Sequence, residues 1–377
     1  MSKVLFLPFL QIPSGHHQVV TTMENQLQRN IDFVKWDKID ILSYSYKYLE
    51  PLISAIYLRW IKYLPNVYHW LYKKSVYESL SDDKDFKLYE FLFLHAMKKL
   101  LHEQNPTHIV CSHALPSYLL SKLKIQGTCK AKIINVYTDY FIHHIWGTSV
   151  VDAHFISLPS MKEYLITKGV KQETIYLTGI PVHEDFHTTP MSVKTKSELR
   201  VLLTGGSLGV GKLDRILRDV HHDGKIQYHV LCGSNETLYR RLTQQHHPRI
   251  FPYPYISCKK QLNRLYDSMD AVLTKPGGVT VSECLVKRKP IFIYAHLPGQ
   301  EKINVEALSK QNLVTFLPFN NDVLSFEHQL VTTLYSEEFK NKNKVSLENY
   351  HNSLTKMTPI DFIIQDIVSY NPSDSFT

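Results

Sequence analysis

Short apolar runs alternate with segments whose apolar residues recur at helical spacing, and this alternation occurs twice along the chain. The first series puts strands near residues 3–9, 107–112, 131–137, 153–158 and 173–178. After the first of these, Val19, Met23 and Leu27 recur at four-residue steps, giving one apolar stripe for a helix that lies on a sheet. A second series begins at Arg200-Val201-Leu202-Leu203 and continues through 227–232, 270–274, 290–294 and 313–317. Apolar runs this short, separated by helical segments, are strands of parallel sheets covered by helices, so the fold class is α/β. Between the series, 184–198 is polar, carries Pro190 and sustains no period, as a linker would. The expected organisation is a first domain over 1–183, a linker over 184–198 and a second domain over 199–346. Residues 347–377 have helical periodicity and can pack back on the first domain. Parallel α/β sheets bind ligands at the carboxyl ends of their strands, so the two domains are expected to face each other across a cleft that holds the chemistry.

The length of 377 residues suits two domains. Lysine and arginine exceed aspartate and glutamate by 43 − 35 = 8, which favours anionic partners such as phosphates, nucleic acid or acidic lipid surfaces. No apolar stretch approaches the ~18 residues needed to span a bilayer. The opening Val4-Leu5-Phe6-Leu7-Pro8-Phe9-Leu10 lacks the cleavage site of a signal peptide and reads as a strand, so a cytoplasmic protein is expected. The five cysteines (Cys111, Cys129, Cys232, Cys258, Cys284) show no C-x-x-C spacing, which points to reduced thiols rather than a disulfide framework or a zinc ribbon.

Two glycine-rich loops follow strands of the second series. Met269-Asp270-Ala271-Val272-Leu273 runs into Thr274-Lys275-Pro276-Gly277-Gly278-Val279-Thr280, and a helix-competent stretch follows. A helix beginning there directs backbone N–H groups outward and favours a bound anion. Glu283 lies about one and a half turns in, where a carboxylate can accept bonds from vicinal sugar hydroxyls. Phosphate donors beside a hydroxyl acceptor describe a nucleotide site, while the plainer alternative is an ordinary strand-to-helix turn. The other loop is Thr204-Gly205-Gly206-Ser207-Leu208-Gly209-Val210-Gly211. It fails the dinucleotide fingerprint, because the next strand ends Val230-Leu231-Cys232-Gly233 without the acidic residue that fingerprint requires. It also lacks the Gly-Lys-Ser/Thr of a P-loop.

In the first domain, Pro13-Ser14-Gly15-His16-His17 links the opening strand to its helix. An imidazole there can take a proton from an attacking hydroxyl, although with 20 histidines in the chain a loop histidine is also expected by composition alone. Histidine pairs recur at His143-His144, His221-His222 and His246-His247, but no H-E-x-x-H or other ligand spacing accompanies them, and no metal site is expected.

These blocks occur in a recognisable order. Gly15-His16 is followed by Thr138-Asp139-Tyr140-Phe141-Ile142-His143 with Trp146, and then by Thr178-Gly179-Ile180-Pro181-Val182 and Gly205-Gly206-Ser207-Leu208-Gly209. Cys232-Gly233-Ser234-Asn235, Lys275-Pro276-Gly277-Gly278 and Pro298-Gly299-Gln300-Glu301 with Asn304 complete the series. Over about residues 3–310 the chain resembles glycosyltransferase family 28, in particular the processive diacylglycerol glucosyltransferases and the monogalactosyldiacylglycerol synthases. The resemblance implies a GT-B fold of two Rossmann-like domains and an inverting transfer from a UDP-sugar, with no cofactor and no catalytic metal. It further implies that Gly277, Gly278 and Thr280 hold the diphosphate, Glu283 the ribose, and Gln300 and Glu301 the sugar hydroxyls, while Gly206 and Ser207 close over the phosphates. His16 would be the general base, and Asp139 would lie on the acceptor side beside His143, unless Asp139 only caps a helix or turn. One departure is local: the family carries extra glycines before its Gly-His, where this chain has Pro13-Ser14.

Residues Tyr44 to Tyr77 are crowded with tyrosine and tryptophan, among them Tyr57, Trp60, Tyr63 and Trp70, interleaved with Arg59, Lys62, Lys73 and Lys74. Aromatic rings with polar tips beside basic groups suit an anionic bilayer interface. Family members take diacylglycerol from the membrane through this part of the first domain, so the resemblance implies a peripheral enzyme on the inner face of the cell membrane. A tyrosine-rich helix covering the sheet is the structural alternative. No RNA- or DNA-binding motif accompanies the segment, so nucleic acid is not an expected partner. Two further functions stay open on the sequence: transfer to a soluble or polyprenyl-linked acceptor, and UDP-sugar binding without catalysis.

Overall fold

A computed structural model describes residues 2–9, 15–31, 34–46, 86–187, 198–206, 213–218, 220–319 and 322–370. They fall into two compact units, the described parts of Met1–Pro181 with Ser353–Thr377, and those of Val182–Asn352.

The first unit is built from β1 (Lys3–Leu7), α1 (Gly15–Asn30), β2 (Lys35–Lys38), α2 (Ile41–Ser45), α3 (Lys87–Gln104), β3 (His108–Cys111), α4 (Ala114–Ile125), β4 (Lys132–Val136), β5 (Ala153–Ile156), α5 (Pro159–Thr167) and β6 (Ile175–Leu177). Its six strands are parallel and ordered β2-β1-β3-β4-β5-β6. The runs Val4–Leu7 and Ile109–Cys111 are fully buried because helices cover both faces of such a sheet. The stripe of α1 does what its spacing predicts, with Val19, Met23 and Leu27 all inaccessible to solvent. β2 has no apolar signal in the sequence: Lys35-Trp36-Asp37-Lys38 is a mostly exposed edge strand, recruited by backbone pairing to β1.

The second unit contains β7 (Leu199–Thr204), α6 (Leu213–Arg218), β8 (Ile226–Leu231), α7 (Glu236–Gln244), β9 (Ile250–Tyr253), α8 (Lys259–Asp267), β10 (Ala271–Thr274), α9 (Gly278–Val286), β11 (Ile291–Ile293), α10 (Gln300–Lys310), β12 (Thr315–Phe316), α11 (Val323–Tyr335) and α12 (Glu337–Ser353). Its strands are also all parallel, ordered β12-β11-β10-β7-β8-β9. This is the doubly wound dinucleotide-fold order, read from the far edge. β9 is a second strand that the apolar pattern misses. It carries Pro252 and pairs on one side only, and an edge strand tolerates a residue that cannot donate to a ladder.

The chain then returns to the first unit through α13 (Pro359–Tyr370). Thr355 N–H donates to Leu177 O at 2.7 Å, and Phe362 packs edge-on against Phe155 with ring centres 6.0 Å apart. The Asp366 carboxylate sits 2.9 Å from His108 Nε2 and accepts from Lys132 Nζ, tying α13 to the starts of β3 and β4.

The front of the expected linker is not a free connector. Phe186 is buried, meets the Tyr266 ring edge-on at 5.6 Å and lies under Lys259 Nζ at 5.9 Å. Lys287 Nζ donates to His187 O at 2.5 Å. The division between units therefore falls at Pro181, and residues 188–197 lie outside the described residues.

Candidate functional site

In each sheet the strand order reverses once, and a reversal leaves a crevice at the carboxyl ends of the two strands that diverge there. In the second unit these strands are β7 and β10, paired through Leu203 and Leu273. Both glycine-rich loops leave from this point. Gly206 adopts φ +80°, a left-handed conformation that costs any residue with a side chain, and its N–H donates to Thr204 Oγ1 at 3.2 Å. Ser207 lies outside the described residues.

After β10, Gly277 is the extended N-cap of α9, with no side-chain cap. The first intrahelical bond is Val281 N–H to Gly277 O at 3.0 Å, so the N–H groups of Val279 and Thr280 precede any acceptor within the helix. A side-chain carbon placed on Gly277 would meet nothing within 4 Å, so the space in front of this helix end is open. An exposed, positively polarised helix start with a glycine cap is a seat for an anion.

The next motif is held against this loop. Gly299, at φ +93°, is the N-cap of α10, and Gln300 and Glu301 occupy its first turn. The Glu301 carboxylate accepts the Leu297 N–H and lies 3.9 Å from Lys275 Nζ. Asn304 Nδ2 donates to Pro276 O at 3.1 Å. Thus Gly277, Gly278, Thr280, Gln300 and Glu301, expected from the sequence to serve one ligand, come from two loops that are bonded together.

Glu283, expected from the sequence to accept bonds from sugar hydroxyls, is largely withdrawn from solvent. Its side chain is only 8% exposed and faces α8, where Tyr266 OH donates to Oε2 at 3.1 Å and Lys259 Nζ stands 3.8 Å from Oε1. Burial pushes its carboxyl up to about 7, against the pull of Lys259 and of the Tyr266 bond.

In the first unit the order reverses between β1 and β3, and His16 opens α1 beside that point. Its Nδ1 lies 2.7 Å from Ser112 O and 2.8 Å from Thr138 Oγ1. A carbonyl oxygen only accepts, so Nδ1 carries the hydrogen, and in the neutral ring the lone pair is on Nε2. The Thr138 hydroxyl completes the set by donating to Ser112 O at 3.4 Å. His113 meets His16 edge-on at 5.1 Å, and its own Nδ1 accepts the Leu115 N–H as the N-cap of α4. Burial lowers the His16 pKa, opposed by the negative charge of Asp139 and the bond to Ser112. Asp139 is therefore within electrostatic reach of His16, and its backbone carbonyl accepts from Ser157 Oγ at 2.7 Å. His143 is pushed down to about 3 by burial and by the neighbouring His144 and His16.

Ser112, His113, Tyr266 and Lys259 do not stand out in the sequence. Only the pairing of β1 with β3, and of α8 with α9, gives them their roles. Of the aromatic segment Tyr44–Tyr77, only Tyr44, Ser45 and Tyr46 are among the described residues. Tyr44 OH donates to Glu103 Oε2 at 2.6 Å and Tyr46 OH to Leu92 O at 3.1 Å, so both tyrosines are bonded to α3. Among the described residues no group of three or more histidine, cysteine, aspartate or glutamate side chains could hold a metal ion. No described helix is long and apolar enough to cross a membrane.

Comparison with known proteins fits this geometry. The family model for monogalactosyldiacylglycerol (MGDG) synthase matches residues 16–182. The uncharacterized glycosyltransferase YkoN of Bacillus subtilis (strain 168) is 40% identical over 351 residues, covering 93% of each chain. The processive diacylglycerol beta-glucosyltransferase of Staphylococcus carnosus (strain TM300) is 26% identical over 340 residues, 86% of this chain and 83% of that one. Among solved structures, MurG of Acinetobacter baumannii superposes with a TM-score of 0.60 at 11% identity over 98% of this chain and 99% of its own, a likeness of fold. Two parallel doubly wound sheets of six strands, joined in this order, are the GT-B architecture, and the chain is a glycosyltransferase that belongs to family 28.

Proposed function

We propose that this glycosyltransferase moves a hexose, glucose or galactose, from a UDP-sugar to the free hydroxyl of diacylglycerol with inversion at the anomeric carbon, and extends the product by further transfers. The observation that carries the proposal is the His16–Ser112 bond, which leaves Nε2 as the basic nitrogen of a ring that burial keeps neutral near pH 7. In the proposed step Nε2 takes the proton of the acceptor hydroxyl as its oxygen bonds to the anomeric carbon. The bond from that carbon to the diphosphate breaks, and UDP leaves as an anion. Asp139 would stabilise the imidazolium so formed.

The donor would lie on the second unit. Gly277, Gly278 and Thr280 at the start of α9 suit the diphosphate, with Gly206 and Ser207 over it, Glu283 for the ribose, and Gln300 and Glu301 for the hexose hydroxyls. The positive end of α9 faces the charge that develops on leaving, which is the stabilisation such a step needs, and no resident metal is invoked. The lipid acceptor is supported by the relatives' names and by the outer face of α3. Leu88 and Phe91 are 67% and 85% exposed there, on a stripe that continues into Lys98 and Lys99. Apolar anchors next to lysines suit an anionic lipid surface, and we place the enzyme peripherally on the inner face of the cell membrane.

The test is incubation of the purified protein with UDP-glucose or UDP-galactose and vesicles containing diacylglycerol, with and without a chelator, followed by mass spectrometry of the lipid. Hexosylated diacylglycerol in the presence of chelator is the expected product. Intact donor and unmodified lipid would reject the proposal, and activity only on acceptors free of a bilayer would reassign the acceptor.

A further inference from the structure

Glu283 is the one carboxylate among the proposed donor residues that is buried, and its chemistry depends on what surrounds it. A vicinal diol presents two hydroxyl hydrogens, and an ionised carboxylate accepts both, whereas a protonated one gives up acceptor capacity and charge. Burial favours the protonated form. Two groups of α8 oppose it: Tyr266 OH, bonded to Oε2 at 3.1 Å, and Lys259 Nζ, 3.8 Å from Oε1. On its own helix the neighbouring Cys284 thiol is buried, and Lys287, one turn on, turns its ammonium to Asp267 and Asn263 instead. Lys289 likewise points to the Asp267 and Met269 carbonyls.

The Tyr266 ring is itself immobilised. It is 1% exposed and packs against Phe186, near the start of the second unit, while Lys259 lies over the other ring of that pair. The hydroxyl is thus delivered to Oε2 by a ring with no freedom to follow the carboxylate elsewhere. A carboxylate oxygen has two lone pairs, so Oε1, 3.8 Å from Lys259 Nζ, can accept from a further donor.

We infer that Tyr266, assisted by Lys259, is a positioning residue for the nucleotide diol: it fixes the Glu283 carboxylate and favours its ionised form against burial, so that the affinity for a ribonucleoside diphosphate depends on pH through this cluster. The inference rests on the proposed donor role of Glu283. Removing the hydroxyl while keeping the ring separates positioning from packing.

The experiment is calorimetric titration of the full-length protein with UDP, from about pH 5.5 to about pH 8.5, a range that spans titration of a raised carboxyl. Wild type is expected to lose affinity as pH falls. Tyr266→Phe is expected to bind UDP about tenfold more weakly near pH 7, as loss of a bond to a charged acceptor implies, and to lose affinity at a higher pH. Lys259→Gln, at a partly exposed position, should move the same limb in the same direction, and Glu283→Gln should remove the limb. Binding of 2′,3′-dideoxyuridine diphosphate should be the same in wild type and Tyr266→Phe, which a merely structural effect would not produce. A Tyr266→Phe protein that titrates UDP as wild type does, while Glu283→Gln has lost the limb, overturns the inference and leaves the donor site standing. Folded wild type that binds no UDP, or Glu283→Gln that keeps the wild-type limb, overturns the donor reading and the inference with it.

Discussion

His16 Nδ1 and the carbonyl oxygen of Ser112, 96 residues apart in sequence, lie 2.7 Å apart because β1 and β3 run parallel and end together. That bond sets the tautomer, so Nε2 is the basic nitrogen. Replacement of His16 by Ala is expected to lower kcat by about 10²–10⁴-fold, the usual worth of a positioned base, and to leave the UDP dissociation constant unchanged. Because burial lowers the pKa of His16, the ring stays neutral at pH values where a free histidine, with its pKa of about 6.5, is half protonated. The acid limb of kcat should accordingly lie below that value. Equal losses of turnover and of UDP affinity would remove His16 from the role of base.

Gly277 has an ordinary negative φ of −78° and open space where a side chain would begin. Gly277→Val should therefore fold with little loss of stability, while its branched side chain fills the approach to the start of α9. The expected result is a melting temperature within a few degrees of wild type and UDP affinity reduced by at least about tenfold, since the anion is kept from the backbone donors. Unchanged UDP binding would move the phosphates elsewhere.

Phe91 and Leu88 are exposed on the outer face of α3, where Phe93, Met97 and Leu100 hold the opposite face in the core. Polar replacement of the two outer residues leaves that core intact. Leu88→Ser combined with Phe91→Ser is predicted to weaken flotation with anionic vesicles and to slow transfer to diacylglycerol in bilayers. UDP binding should be unaffected. The double variant floating as wild type does would show that α3 is not the contact.

Acid should destabilise the first unit before the second. His143 is pushed down to about 3 and His154 to about 4, mainly by burial. Both folded values lie below the unfolded value of about 6.5, so the unfolded chain binds more protons and stability is lost as pH falls from about 6.5 toward 4. Glu283 in the second unit acts in the opposite sense. Its carboxyl is raised to about 7, so its contribution is most favourable below the unfolded value near 4.5 and is lost as pH rises through 7. Hydrogen exchange measured at several pH values should show β3, β4 and β5 losing protection before β7 and β10. His143→Phe should reduce the acid sensitivity of the first unit, and an unchanged profile in that variant would place the proton uptake at other groups.

The central strands were legible because a strand buried on both faces must be apolar throughout: Val4-Leu5-Phe6-Leu7 and Ala271-Val272-Leu273 announce themselves without any partner in view. β2 and β9 were not, since edge strands owe their pairing to a neighbour and not to their own composition. Lys35-Trp36-Asp37-Lys38 and the proline-bearing Ile250-Phe251-Pro252-Tyr253 carry no pattern that distinguishes them from loops. The packing of the front of the polar stretch is not legible for a similar reason, because the one aromatic that anchors it, Phe186, is a single residue without period.

The candidate site divides in the same way. Glycines at the ends of apolar strands, the cap of α9 and the family blocks are local properties, and the sequence by itself determined them: a parallel α/β chain of family 28 with glycine loops at Gly206 and Gly277 and a histidine at the start of α1. Tertiary structure alone decided the protonation and orientation of the side chains those loops present. The tautomer of His16 depends on a carbonyl from β3, and the charge of Glu283 depends on a hydroxyl and an ammonium from α8. Desolvation and hydrogen bonding act through space over a few ångströms, and a sequence records which residues are neighbours along the chain but not which ones folding brings within that distance.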